Sequence, residues 1–273
     1  MTAPLRSPSA LPADGETAYQ VHLASSPADL EAAQRLRHEV FAGEMGAALP
    51  DTGSGLDRDP LDPYCHHLLV RERRSGTVVA CTRILTEESA STAGGFYSLS
   101  EFELGPLMNL PGRTLEVGRT CVRADHRQGA AINALWTGLA RFMNAHRYDY
   151  LMGCASLPLT EQTPAQLAWL RMFHRAPSRL RVTPRRPLPN ALTICHGTPS
   201  RTGLGLPPLL KAYLRLGARV CGEACFDPDF NVADVLVLLD VRAMPDRYHR
   251  HFMGAMTPAS RGTEHDRNTA GTG

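Results

Sequence analysis

No apolar run in this chain approaches the ~20 residues that a membrane-spanning helix needs. The longest, VLVLLDV at 235–241, is strand-sized and contains Asp240. The first residues, MTAPLRSPSALPADGETA, lack the apolar core of a secretory signal. A surplus of one charge is also missing. Lys and Arg number 29 against 27 Asp and Glu, and a formal charge of +2 is too small to indicate nucleic acid as a partner. The seven cysteines are odd in number and none has zinc-finger spacing; Cys221 and Cys225 form C-x3-C with no second ligand pair nearby. They read as reduced thiols in a cytoplasmic protein. There is no G-x-S-x-G around a serine, no G-x-x-x-x-G-K-[ST] loop and no H-E-x-x-H. The acidic loop at 57–62 has neither the central glycine nor the terminal glutamate of an EF-hand. No internal repeat is present, and no metal site is expected.

What remains is an ordinary globular composition: 273 residues, 43% hydrophobic and 21% charged. That length suits one good core. Residues 1–18 and 256–273 are rich in small, polar and proline residues and are expected to be disordered. Between them, 19–255 reads as a single domain. YQVHLA (19–24) alternates like a strand. A helix follows through SPADLEAAQRLRHEVFAGEM, with Ser26 as N-cap, Pro27 at the first turn and Asp29 completing a capping-box-like pattern. HHLLVRE (66–72) and TVVACTRIL (77–85) flank a turn and suggest a hairpin. TLEVGRTCV (114–122) is a strand leading through a Gly-containing turn to a helix. Strand 148–156, a helix near 164–174, a helix ending at Gly217, and strands in RVCGEACF and DVLVLLDV complete the chain. The order gives an α/β (α+β) domain with a mixed central sheet flanked by helices, without regular βαβ alternation.

Three features carry chemistry. Glu116 and Arg119 interrupt an otherwise apolar strand, and a buried charge is costly unless paired or used. Arg37 and Arg83 also sit among apolar neighbours, and a guanidinium can grip a carboxylate through two parallel hydrogen bonds. Asp57, Asp59 and Asp62 form either a solvated turn or a seat for a cation. The turn DHRQGAA opens a helix, where backbone N–H groups, Arg127 and Gly129 could receive a phosphate.

In this order, LRHEVFAGEMGA, DRDPLDPYCHHLLVRE, ACTRIL, YSLSEFELGPL, GRTLEVGRTCVRADHR, INALWTGLARF, LMGCAS and the C-terminal LPPLLKAYLRLGARVCGEACFDPDFNVADVLVLLDV resemble one family. It is the GNAT-like acyltransferases related to acyl-homoserine-lactone autoinducer synthases, and more closely its L-ornithine N-α-acyltransferase branch. The resemblance covers roughly 19–255. It implies a GNAT-like fold with a C-terminal helix–strand extension. It also implies transfer of a 3-hydroxy fatty acyl group from acyl carrier protein to the α-amine of L-ornithine, giving lyso-ornithine lipid. Arg37, Phe41, Asp59, Asp62 and Arg83 match substrate-binding positions, and Glu116 with Arg119 match the Glu-x-x-Arg strand. The tryptophan of the autoinducer synthases has no counterpart; Met45 and Gly46 stand near its place.

The resemblance implies a mechanism with no acyl-enzyme and no cofactor beyond the thioester on 4′-phosphopantetheine. Asp59 and Asp62 would hold the ornithine side-chain ammonium. Arg83 or Arg119 would hold its carboxylate, and Glu116 would accept a proton or orient Arg119. A backbone N–H near Cys121 or Val122 would polarise the thioester. Val122, Arg127 and Gly129 would meet the carrier arm, and basic residues from Arg171 to Arg186 would face the acidic carrier protein. The amphiphilic product suggests peripheral contact with the inner membrane. An autoinducer synthase, another amino-acid N-acyltransferase, or a non-catalytic acyl-carrier or lipid-binding module are the competing readings.

Overall fold

In a computed structural model, residues 18–49, 53–195, 204–248 and 250 are described. The expected disordered segments, up to residue 17 and 256–273, lie outside them.

Strand β1 (Tyr19–Leu23) begins the order and is followed by helix α1 (Pro27–His38). Ser26 caps α1 as its sequence suggests: the Ser26 hydroxyl accepts from the Asp29 amide at 3.2 Å, and the Asp29 carboxylate accepts from the Ser25 amide at 3.1 Å. The expected single helix to Met45 changes pitch. From Glu39 to Glu44 it widens into a π-helix, with the Met45 amide donating to the Val40 carbonyl at 3.0 Å.

The hairpin follows as β2 (His66–Glu72) and β3 (Val78–Thr86), and every residue of β3 is buried. Next come α2 (Glu87–Ala93), the two-residue β4 (Phe102–Glu103) and β5 (Thr114–Val122), then α3 (Ala130–Ala145). β6 (Tyr150–Pro158) starts two residues later than its sequence suggests and runs two further. α4 (Thr163–Phe173), β7 (Thr183–Pro184) and α5 (Pro208–Arg215) precede the last strands. RVCGEACF is not one strand but two, β8 (Arg219–Val220) and β9 (Cys225–Asp227). They separate at Gly222, whose φ of +143° brings it so near the Val182 carbonyl that a Cβ would lie 2.4 Å away. β10 (Val232–Asp240) ends the sheet.

Eight strands form one sheet in the order β1-β2-β3-β5-β6-β10-β8, with β9 also on β10; β4 and β7 pair separately. Every pairing in the large sheet is antiparallel except β5 with β6. Both faces of the central strands are covered, which is why β3 and β10 read as nearly continuous apolar runs, while edge strand β1 alternates. Leu68 and Val70 join Leu135, Leu139 and Phe142 of α3 on one face, while Leu69 joins Leu36, Val40 and Phe41 on the other. Leu135, Leu139 and Phe142 are all nearly sealed from water, and each contributes about 1.5–3 kcal/mol by burial. The mixed sheet with flanking helices and a C-terminal helix–strand extension is the fold class expected from the sequence.

Candidate active site

The one parallel strand pairing among the described residues is short. β5 and β6 pair at Thr114–Tyr150, Leu115–Leu151 and Glu116–Met152 and then diverge. Gly153 marks the fork, because a Cβ there would lie 2.3 Å from the Val117 carbonyl oxygen. Past it the strands open around a cavity of about 220 Å³, with residues 117–120 on one side and 154–156 on the other.

β5 is also bulged on its other edge. Arg83 pairs with Gly118 but Cys81 pairs with Cys121, so β5 carries one extra residue there. Arg119 sits in the bulge at φ +50°, a left-handed conformation that costs a non-glycine residue on the order of 1 kcal/mol or more. The extra residue turns Arg119 toward the loop at 57–62. Arg119 Nη2 donates to Asp59 Oδ2 at 2.9 Å, and its Nε lies 3.2 Å from Asp57 Oδ2.

That loop is not a solvated turn. Asp57, Asp59 and Asp62 interlock with Arg37, Arg83 and Arg119 in a buried lattice of three carboxylates and three guanidiniums. Arg37 Nε donates to Asp57 Oδ2 at 2.8 Å, and its Nη1 and Nη2 reach Asp62 at 2.8 and 3.0 Å. Arg83 Nη1 lies 2.8 Å from Asp59 Oδ1 and 3.5 Å from Asp62 Oδ1. Asp62 also accepts from Gln34 Nε2 at 2.9 Å and from the Asp59 amide at 3.2 Å. Burial alone would raise the Asp62 carboxyl, but the hydrogen bond and charge of Arg37 outweigh it and hold it at about 2. These carboxylates are spent on arginines. Asp59 and Asp62 therefore have no free charge with which to hold a substrate cation. Arg37, almost fully buried, is a scaffold residue for the loop rather than a substrate contact.

Glu116 departs from expectation in another way. It neither pairs with Arg119 nor lines the cavity. Its carboxylate accepts from the Tyr97 amide at 2.6 Å, from the Ser98 amide at 2.8 Å and from the Ser98 hydroxyl. Burial pushes its carboxyl up, and the Ser98 and Tyr97 donors oppose this. Glu116 anchors the turn Tyr97–Ser100, and that turn places the Tyr97 ring at the cavity. The guanidinium of Arg119 lies 5.8 Å from the Tyr97 ring centre and 5.1 Å from that of Phe230, while Arg83 lies 6.0 Å from Tyr97. Phe41, on the π-helix, meets Phe230 edge-on at 5.5 Å and lines the cavity with Met45.

Cys121 and Val122 return to the ladder opposite Cys81 and Ala80, and the cavity lining stops at Thr120. The backbone facing the cavity is thus the bulge itself, not the residues after it. The Val122 carbonyl accepts from Arg127 Nε at 2.9 Å, and Arg127 Nη2 pairs with Glu44 at 2.5 Å. Gly129, at φ +104°, opens α3 with no side chain capping it, which leaves first-turn amides for a ligand. Cys154 lines the cavity, but burial holds its thiol well above its ordinary value, so it is a neutral thiol rather than a nucleophile.

Three site residues escaped the sequence reading. Glu101, Asp227 and Asp234 are buried, and their oxygens lie within 4.8 Å of one another; Asp227 and Asp234 line the cavity. The signal was there in Asp234, a carboxylate inside an apolar strand just as Glu116 is.

The Arg-rich segment lies at the surface, with several of its guanidiniums already engaged. Arg171 pairs with Glu223 at 3.1 Å, Arg185 donates to the Leu99 carbonyl and Arg186 to that of Phe226. None of the seven cysteines, all of them among the described residues, forms a disulfide.

Comparison with known proteins agrees with this geometry. The family model described as an acetyltransferase (GNAT) domain matches residues 36–137. A curated relative from Rhodobacter capsulatus, named L-ornithine N(alpha)-acyltransferase, is 39% identical over 244 residues, covering 86% of this chain and 94% of its own. Another of that name from Rhizobium meliloti is 34% identical over 247 residues, covering 85% and 83%. Among solved structures, an N-acyl amino acid synthase from uncultured soil microbes superposes with a TM-score of 0.50 at 12% identity, covering 83% of this chain and 93% of that one. At that identity it supports the fold alone.

Proposed function

The chain belongs to the family of the L-ornithine N(alpha)-acyltransferases, and from that premise we propose that it transfers a 3-hydroxy fatty acyl group from an acyl carrier protein thioester to the α-amine of L-ornithine. It is an acyltransferase, and family membership stands against the non-catalytic binding module.

The observation that carries this reading is the fork of β5 and β6 beside two arginines. Where two strands stop pairing, their peptide groups lack partners in the sheet. A phosphopantetheine arm contains amide groups and can lie between such edges as an added strand would. Its phosphate would meet Arg127 and the open first turn of α3 at Gly129. Val122 contributes by holding Arg127 through its carbonyl. The Arg119 bulge then faces the thioester, and its backbone is the candidate donor to the developing oxyanion.

Arg83 and Arg119 both face the cavity, and a guanidinium suits an amino-acid carboxylate. The α-amine attacks the thioester carbon directly. The C–N bond forms, the C–S bond breaks, and the proton shed by nitrogen passes to the departing thiolate through water. A terminal α-amine has a pKa of about 8 and a lysine-like side-chain amine about 10.4, so the α-amine is the one with a useful free fraction near neutral pH. No strong base is required, which suits Glu116 acting through Tyr97 rather than on the amine. The neutral Cys154 thiol suits direct attack without an acyl-enzyme.

The exposed guanidiniums of the Arg-rich segment, Arg179 among them, suit an acidic carrier protein. No helix among the described residues is long and apolar enough to cross a membrane. The amphiphilic product fits release at the inner membrane face.

The test is mass spectrometry with thiol release on purified protein given a 3-hydroxyacyl carrier protein and ornithine. The expected result is one free carrier thiol per N-acyl-ornithine formed. Transfer only from coenzyme A thioesters would replace the donor, and acylation of a different amino acid would replace the acceptor.

A further inference from the structure

Glu101, Asp227 and Asp234 have no evident reason to be together. They come from separate elements: the loop before β4, the end of β9 and the first part of β10. They are 1%, 5% and 3% exposed, and their oxygens fall within 4.8 Å of one another. A buried carboxylate normally finds a donor or a cation. Here no donor meets strict hydrogen-bond geometry at either oxygen of Glu101 or at Asp234 Oδ1. The neutral Tyr97 hydroxyl and Cys154 thiol stand by Glu101 and the Ser156 hydroxyl by Asp234, but none of these is a cation. Asp227 Oδ1 is occupied by the amides of Asp229 and Phe230, at 2.9 and 3.3 Å. Arg186, whose positive charge is felt by Glu101, sends its Nε to the Phe226 carbonyl and forms no ion pair with the cluster. Buried negative charge without a paired cation is expensive, so the fold keeps it at a cost in stability.

The cavity gives the cost a use. Asp227 and Asp234 line it, and Arg83 and Arg119 line it as well. One cavity therefore presents cations for a carboxylate and carboxylates for a cation, and about 220 Å³ accommodates a small amino acid. We propose that Glu101, Asp227 and Asp234 seat the side-chain ammonium of the acceptor amino acid and thereby select ornithine over acceptors with uncharged side chains. An ammonium has three N–H donors and no acceptor, which suits a cluster of three carboxylates. Asp59 and Asp62 cannot serve, because their oxygens are spent on Arg37, Arg83 and Arg119. Burial raises the carboxyls of Glu101 and Asp234, so their charged forms are disfavoured until a cation joins them. This inference rests on ornithine being the acceptor.

The test uses norvaline, which has the ornithine skeleton without its terminal amine, as the paired acceptor. The full-length wild type should favour ornithine in kcat/KM by a factor on the order of 100 or more, as sites built for a substrate N–H do. Asp234→Asn and Glu101→Gln should bring that ratio toward unity, mainly through loss on ornithine. Both variants remove a buried charge that has no paired cation, so in the absence of substrate both should melt at or above the wild-type temperature. An unchanged ratio in folded variants would overturn the proposal. So would equal losses on both acceptors, which would make the cluster catalytic. A melting temperature raised by Mg²⁺ or Ca²⁺ in the wild type alone would assign the cluster to a metal instead. If the wild type acylates neither acceptor, the functional reading fails, not the seat.

Discussion

Glu116 and Arg119 stand three residues apart on one strand and share no partner. Glu116 binds the Tyr97 and Ser98 amides, while Arg119 binds Asp57 and Asp59. The bulge between them separates the two side chains. A base and a positioning group can then be told apart by experiment. Glu116→Gln should lower kcat, since a neutral acceptor holds the Tyr97–Ser98 turn less firmly; loss of a charged hydrogen bond costs about 1.5–3 kcal/mol. The pH profile of kcat/KM should keep its shape. Disappearance of its acid limb in Glu116→Gln would make Glu116 the base.

Removing one member of the Asp–Arg lattice should be severe. Arg37→Leu leaves Asp57 and Asp62 buried with too few cations. Breaking a buried pair this way costs about 3–5 kcal/mol. Calorimetry should show the melting temperature falling by roughly 10 °C in a chain of this size. A change within 2 °C would mean that the lattice is not rigidly formed.

Asp62 gives the lattice a pH signature. Its carboxyl lies at about 2 in the folded chain, against about 3.9 unfolded. A depressed carboxyl stabilises above the unfolded value, and that contribution disappears as pH falls through it toward 2. The gap is worth about 2–3 kcal/mol. Denaturant unfolding between pH 6 and 3 should show a shallower acid loss of stability in Asp62→Asn than in the wild type.

Asp234 titrates in the opposite sense. Burial raises its folded carboxyl, so its charge costs stability at neutral pH. Asp234→Asn should unfold at higher denaturant than the wild type at pH 8. The advantage should shrink as pH falls through the raised folded value toward the unfolded one. An advantage independent of pH would point to packing rather than charge.

Gly153 should tolerate nothing larger. An alanine Cβ would press on the Val117 carbonyl, which is backbone and cannot swing aside. Gly153→Ala should lower both melting temperature and acyl transfer, the latter by at least about tenfold, as small misplacements at a reacting centre do. Full activity would show that the fork does not hold the acyl donor.

Local patterns carried much of this into the sequence. The capping box at Ser26, the bounds of β5 and the glycine-led start of α3 follow from side-chain chemistry within a few residues. Arg37, Arg83, Arg119 and the loop aspartates declared themselves as charges in apolar surroundings. Their pairing with one another did not, because it depends on a bulge and on contacts across 20 to 60 residues. Glu116 was noticed for its burial and misread for its partners, since Ser98 lies in a loop whose path no periodicity reveals. The acidic cluster joins three distant elements, and only the folded sheet brings β9 and β10 beside the turn that carries Glu101.

The most direct measurement is the position of the new amide. Arginines beside the thioester, with a separate ammonium seat in the same cavity, require the acyl group to land on the α-nitrogen. Tandem mass spectrometry of the wild-type product formed from ornithine and a 3-hydroxyacyl carrier protein reads this without ambiguity. Fragments of the α-amide alone are the predicted result. Acylation of the side-chain nitrogen would contradict the orientation from which the proposed mechanism follows.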